Sequence, residues 1–231
     1  MTTSLTLRGI SSMATRLVLQ DLAEAYTART GVRVQIESVG GVDAAKRVAD
    51  GEAFDVVFLG SGAMKKLLDA GHLVADSVVP LVNSATAIAV PSGQPHPDIG
   101  SEAALRAAVA AAPSLSYSTG PSGVALAALF ERWGLAEALA PRIVTPPPGT
   151  PVGSLVASGD VALGFQQLSE LLHVEGVDIV GVMPEPVAIQ TIFSGGVATA
   201  SHQPDAVRAL LAFMASDEAT EAKRLQGMDP A

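Results

Sequence analysis

Hydrophobic positions along this chain recur first with one period and then with another, and the alternation predicts the fold class. Leu5 to Ile10 reads as a short strand, and Ser11-Ser12 reads as the cap of a helix. In that helix Leu17, Leu19, Leu22, Ala23 and Tyr26 cover one face until Gly31 stops it. Val32 to Ile36 alternates with period two, and Ser38-Val39-Gly40-Gly41 turns the chain into a second helix over Asp43 to Asp50. Phe54 to Leu59 is the near-continuous apolar run of a parallel strand buried on both faces, after which Gly60-Ser61-Gly62 opens a third helix through Leu67 and Leu68. Three strand-loop-helix units in succession indicate an α/β chain with a doubly wound sheet.

The pattern shifts after Val78. Ala85 to Val90 is a strand ended by Pro91 and a turn-rich stretch, and a crossover into a second lobe is expected there. A helix at Glu102 to Ala111, a strand at Ser114 to Tyr117 and a helix from about Val124 to Trp133-Gly134 follow. Arg142 to Thr145 reads as a short strand and Pro146 to Pro151 as loop, since prolines deny a ladder its donors. Helix Val152 to Ala157, strand Val161 to Phe165, helix Leu168 to Leu172 and strand Val177 to Met183 come next. Ile189 to Thr199 is a long apolar strand expected to return to the first lobe, and Pro204 to Leu225 supplies two terminal helices. The expected organisation is a discontinuous lobe 1, residues 1–83 with 191–231, and a lobe 2, residues 84–190.

Composition narrows the partners. With 231 residues, 48% of them hydrophobic and 16% charged, the chain belongs to neither the disordered nor the fibrous class. A net charge of -9 with only 14 Lys and Arg, scattered, argues against a nucleic-acid surface. The absence of cysteine removes disulfides and thiolate chemistry. The four histidines, His72, His96, His173 and His202, lack metal-ligand spacing and read as solvated surface; no phosphate-loop or dinucleotide fingerprint is present, so no metal and no cofactor is expected. Met1 to Gly9 has neither a basic n-region nor an apolar h-region, so the chain as it stands reads as cytoplasmic, and as periplasmic if a leader has been removed. No apolar run reaches the ~20 residues of a membrane span, and no membrane insertion is expected.

The candidate chemistry lies at strand ends. Ser11-Ser12, then Ser38 with Gly40 and Gly41, then Gly60-Ser61, then Ser118-Thr119 with Ser122-Gly123, each deliver small hydroxyls and glycines immediately before a helix. A single such serine is usually a cap. Four at corresponding positions describe something else: hydroxyls and unpaired first-turn N–H groups that converge on a cleft and hold a small anion. Glu170, one turn beyond Gln167, is the carboxylate placed to face that cleft, with a helix-terminal charge as its plain alternative role. Phe130, Trp133, Leu210, Leu211, Phe213 and Met214 read as core.

Several stretches carry a family resemblance. They are Ser12-Met13 leading into Leu17-x-x-x-Asp21-Leu22-Ala23-x-x-Tyr26, Asp55-Val56-Val57-Phe58 before Gly60-Ser61, Pro121-Ser122-Gly123 at a helix start, and Val156-x-x-Gly159-Asp160-Val161-Ala162-Leu163-Gly164-Phe165. In order and spacing they resemble the ModA-like, molybdate-binding solute-binding proteins of the type II periplasmic binding-protein fold. The resemblance implies two lobes with a double crossover hinge, a partner ABC permease where the protein is exported, and an anion held without a cation. The matching positions are Ser12, Ser61, Ser122 and the backbone of Val152. Where molybdate binders carry a tyrosine three residues after the glycine equivalent to Gly164, this chain has Gln167, and an amide suits a carboxylate or hydroxy acid as well as an oxyanion. Aconitate isomerase resembles the same group while interconverting two tricarboxylate alkenes. Two functions stay open at this level: an anion-binding protein, and a cofactor-independent isomerase using the same groups.

Overall fold

A computed structural model describes residues 5–147 and 149–231, and the expected alternation is present with shifted boundaries. β1 (Thr6–Ser12) takes in Ser11 and Ser12 as its last residues, and a 3-10 turn (Met13–Thr15) separates them from α1 (Arg16–Thr30). The serine pair is therefore a strand end, not the cap of α1. Gly31 stops α1 in the left-handed conformation that its missing Cβ permits. β2 (Arg33–Val39), α2 (Gly41–Ala49), β3 (Val56–Gly60) and α3 (Ser61–Asp69) complete three successive units. β4 (Val79–Pro91) is longer than the strand expected at 85–90, and α4 (Glu102–Ala111) and β5 (Leu115–Tyr117) follow.

The next helix, α5 (Pro121–Arg132), starts three residues before the expected Val124. Proline's fixed φ and missing N–H suit the first helical position, so Ser122 and Gly123 belong to the first turn. α6 (Ala136–Leu139) is too short to leave a period in the sequence. The strand expected at 142–145 is absent. A 3-10 turn ends at Arg142, only an isolated bridge joins Leu115 to Ile143, and the Arg142 guanidinium donates to the carbonyls of Ala110 and Ala112. The proline loop carries neither helix nor strand in its described residues, and Pro148 lies outside them.

α7 (Val152–Ala157) leads to β6 (Leu163–Gln167), which runs two residues past Phe165, and then α8 (Leu168–Leu171), β7 (Val177–Val182) and β8 (Gln190–Val197). α9 (Pro204–Ala215), α10 (Thr220–Leu225) and a short β9 (Met228–Pro230) end the chain. No described helix is long and apolar enough to cross a membrane.

The fold divides into two compact units, the first comprising the described residues up to Asn83 with Ile192–Ala231 and the second Ser84–Thr191. Strands β4 and β8 each contribute residues to both. In the first unit β1 pairs in parallel with β2 and β3, and β3 pairs antiparallel with β8, giving the order β2-β1-β3-β8. β3 explains its own unbroken apolar run: Val56 and Phe58 pack in one cluster with Leu22, Leu210 and Met214, while Val57 and Leu59 pack in another with Ala44, Met64 and Leu67. In the second unit β6 lies between its parallel neighbour β5 and antiparallel β4, with β7 on the far side of β4. Ile88 and Phe165 join Leu105, Leu126 and Phe130 on one face, and Ala87 and Ala89 join Val152 and Val156 on the other. Both sheets thus present their parallel strand ends to the loops that the sequence singles out.

Candidate functional site

In the first unit the register of parallel strands decides which loop residues meet. Ser11 stands opposite Ser38 across β1 and β2, and their hydroxyls lie 2.8 Å apart. Ser12 stands opposite Val39; it is buried, its hydroxyl is 3.5 Å from that of Thr15, and a Cβ added to Gly41 would touch its Cβ at 3.6 Å. Ser11, Ser12, Ser38, Gly40 and Gly41 are therefore one cluster. Gly60 ends the neighbouring strand β3 and Ser61 begins α3, but the Ser61 hydroxyl turns to β8. It donates to the Ile192 carbonyl at 3.1 Å and lies 2.9 Å from the Ser194 hydroxyl.

Serines and glycines before helices ordinarily serve as caps, and the geometry tells which of them cap here. Ser101 caps α4 in the usual way, its hydroxyl accepting from the Ala104 N–H at 3.2 Å. Gly40, Gly60 and Gly120 hold the cap positions of α2, α3 and α5, and a glycine brings no side chain of its own to cap the helix. The first-turn N–H groups of a helix have no partner within the helix and lie at the positive end of its dipole. The hydroxyls beside them pair with one another, Ser11 with Ser38, Ser61 with Ser194 and Ser118 with Ser122, and those of Ser11 and Ser61 also donate to the carbonyls of Ser12 and Ile192.

In the second unit β5 and β6 are parallel, with Tyr117 opposite Phe165, so the loop after Tyr117 stands beside Gln166 and Gln167. Ser118 and Ser122 hydroxyls are 3.1 Å apart, bracketing the turn; Ser122 is buried and Thr119 is exposed. Gly123 makes this turn possible. A Cβ there would lie 1.6 Å from the Ser118 carbonyl oxygen, so only a residue without a side chain lets the loop fold back onto the helix. At the start of α7 the Gly153 N–H donates to Gln166 Oε1 at 2.8 Å, and the N–H of its neighbour Val152 has no partner among the described residues. Gln166 Nε2 donates to Glu170 Oε1 at 2.9 Å. Gln167 points elsewhere: its Nε2 donates to the Thr191 hydroxyl at 2.9 Å, and its Oε1 is buried without a partner, as is the hydroxyl of Thr86, its opposite residue on β4.

Two carboxylates lie among these groups, Asp43 in the first turn of α2 and Glu170, and only Glu170 is bonded to one of the buried amides. Desolvation pushes its carboxyl up to about 7, partly offset by the hydrogen bond from Gln166. Its second oxygen has no protein partner among the described residues. A carboxyl poised near neutrality can hold or release a proton at physiological pH. Among the described residues no group of His, Asp and Glu is arranged to hold a metal ion. His96, His173 and His202 are exposed and His72 is half-buried.

Three participants escape sequence reasoning: Ser194, Thr191 and Gln166. Ser194 and Thr191 lie on β8, and their partners Ser61 and Gln167 are 133 and 24 residues away, so only the strand pairing joins them. Gln166 had a local signal, as a polar pair Gln166-Gln167 directly after an apolar strand; both side chains are nearly inaccessible and hydrogen-bonded.

Comparison with known proteins agrees with this fold. A family model described as bacterial extracellular solute-binding protein matches residues 7–229. Over 233 aligned residues the chain is 39% identical to a protein named aconitate isomerase from a Pseudomonas species, covering 97% of this chain and 88% of that one. Among solved structures, the periplasmic molybdate-binding protein of Azotobacter vinelandii superposes with a TM-score of 0.79 at 19% identity, covering 96% of this chain and 98% of that one. The sulfate-binding protein SubI of Mycobacterium tuberculosis superposes with a TM-score of 0.80 at 16% identity, covering 98% and 87%. At these identities the structures share the fold.

Proposed function

This chain belongs to the bacterial extracellular solute-binding protein family, and we propose that it binds a small organic polycarboxylate through neutral donors. On the first unit the candidate donors are the first-turn N–H groups of α2 and α3 and the hydroxyls of Ser12, Ser38 and Ser61; on the second they are the first-turn N–H groups of α5, the N–H of Val152 and the hydroxyls of Ser118, Thr119 and Ser122. The observation that carries the reading is that glycines, which bring no capping side chain, hold those helix starts beside hydroxyls that pair with one another. Gln167 directs the choice of anion. Its unbonded terminus is the carbonyl oxygen, an acceptor, which matches the protonated carboxyl or hydroxyl of an organic acid; fully ionised molybdate or sulfate has only acceptors to present. The relative named aconitate isomerase supports the same substrate class.

Hydrogen bonds to a charged ligand are worth about 1.5 to 3 kcal/mol each, so five or six sustain micromolar or tighter binding after the cost of association. Ser122→Ala is expected to weaken trans-aconitate by about tenfold or more in a calorimetric titration. Its melting temperature should stay near the wild-type value, since Ser122 loses only its bond to Ser118. Unchanged affinity would place the ligand elsewhere.

A second reading is favoured by Glu170. As a carboxylate it takes a proton from the methylene beside a ligand carboxylate, and the electron pair spreads over the allylic system while N–H donors stabilise the enolate-like charge. Returning the proton to the far allylic carbon moves the double bond and restores the Glu170 carboxylate. Nothing is oxidised or reduced, so the step balances without a redox partner. The binding step is common to both readings.

A further inference from the structure

β2 is the outermost strand of its sheet: β1 pairs with one side and, among the described residues, no strand pairs with the other. The Arg33 N–H donates to the Leu5 carbonyl, so in this parallel ladder Arg33, Gln35 and Glu37 spend their backbone groups on β1. The N–H and C=O groups of Val34, Ile36 and Ser38 point to the open edge. The side chains of Arg33, Gln35 and Glu37 are exposed, and those of Val34 and Ile36 are half-buried on the face that carries α1. There an open groove of about 640 Å³ runs between Leu19, Ala23 and Thr27 of α1 and Val34 and Ile36 of β2.

We propose that this edge pairs with the same edge of a second copy of the chain, antiparallel and centred on Gln35, with α1 of each copy filling the groove of the other. Parity and charge choose the register. Centred on Gln35, Val34 faces Ile36 of the second copy; both have outward backbone groups, so hydrogen-bonded pairs close on each side of the two-fold axis. A shift of register by one residue sets outward groups against inward ones. Registers with the right parity but centred on Ile36 or Val34 bring Arg33 opposite Val39 or Gln35. Only the Gln35 centre brings Arg33 opposite Glu37 of the second copy, and Glu37 opposite its Arg33.

Arg33 has no ion-pair partner of its own among the described residues, whereas Glu37 and Glu52 share the guanidinium of Arg47. A second guanidinium therefore meets a cluster in which two carboxylates already divide one cation, with Arg8 over the Phe54 ring nearby. A charged edge strand is often a guard against association. A guard of one sign repels its own copy, but an edge that runs from Arg33 to Glu37 attracts it when turned antiparallel. The surface lies wholly in the first unit and is independent of the anion-binding reading.

Sedimentation velocity of the full chain over a concentration series tests the proposal. The wild type is expected to dimerise reversibly. Arg33→Glu, which places a carboxylate opposite Glu37 on both sides of the axis, is expected to dimerise about a hundredfold more weakly with an unchanged circular dichroism spectrum. The chain has no cysteine, so Gln35→Cys supplies a single thiol on the two-fold axis, in a non-hydrogen-bonded pair whose spacing of about 4.5 Å admits a disulfide. Mild oxidation should link Gln35→Cys into a covalent dimer well before the exposed control Gln94→Cys, and adding Arg33→Glu should abolish that lead. A wild type that stays monomeric, a dimer indifferent to Arg33→Glu, or Gln35→Cys linking no faster than the control would overturn it.

Discussion

Replacing Gly123 with alanine is expected to abolish ligand binding while leaving most of the fold in place. The new methyl group would lie 1.6 Å from the Ser118 carbonyl oxygen and 2.7 Å from the carbonyl carbon, both backbone atoms that cannot rotate aside. The loop must therefore open, and the Ser118 to Ser122 hydroxyl pair at 3.1 Å must separate. Strain relief by that route costs about 2 to 4 kcal/mol, shared between stability and binding. Two hydroxyls and the first turn of α5 then lose their common focus, and affinity for trans-aconitate should fall by about a hundredfold or more. Gln94→Ala is the control: Gln94 is exposed and lies outside the proposed site, so alanine there should change affinity little. Calorimetric titration with matched melting curves checks both variants, and wild-type affinity in Gly123→Ala would show that the Ser118 turn takes no part in the site.

Glu170→Gln is the second large effect, and its two readouts move in opposite directions. Burial pushes the Glu170 carboxyl up to about 7, whereas an unfolded chain holds it near about 4.3. Between those values the folded protein binds more protons than the unfolded one, so stability falls as pH rises through the window and levels off above it. The slope amounts to roughly 2 to 3 kcal/mol across the window. Glutamine has no charge to desolvate, so the variant should flatten the profile from about pH 5 to 7 and exceed the wild type in stability at pH 8. Urea unfolding at a series of pH values reads this directly, and an unchanged slope would mean that the carboxyl is hydrated. In the isomerase reading the same variant keeps ligand binding and loses proton exchange from trans-aconitate in heavy water. Exchange that persists in Glu170→Gln assigns the base to another group.

How much of this was legible in the sequence depended on how local each feature is. The Ser and Gly strand ends were readable because strand, loop and helix start lie within a few residues of one another, and Gln167 stood out against the spacing from Gly164. Polarity misled the reading of β6. Gln166 and Gln167 look like loop residues after Phe165, yet both are buried strand residues whose amides find partners in Gly153, Glu170 and Thr191. The pattern of apolar positions cannot register a polar side chain whose desolvation is offset by hydrogen bonds. Arg142 shows the converse. An apparent strand at 142–145 has suitable residues but no neighbour to pair with beyond one bridge, and the guanidinium, not a ladder, fixes the segment. The pairing of Ser61 with Ser194 required β8 to lie antiparallel beside β3, a fact of topology that no local window contains.

Whether neutral donors at glycine-led helix starts hold an organic polycarboxylate can be read from a single thermal-shift panel. Trans-aconitate, cis-aconitate, citrate, molybdate, tungstate and sulfate would each be added at the same concentration. A ligand present at a hundred times its dissociation constant stabilises the folded state by about 2.7 kcal/mol, or roughly 5 to 10 °C for a chain of this size. A shift of that order is expected with at least one of the tricarboxylates, and a much smaller one with the inorganic oxyanions. A shift with molybdate, tungstate or sulfate alone, and none with any tricarboxylate, would refute the polycarboxylate reading.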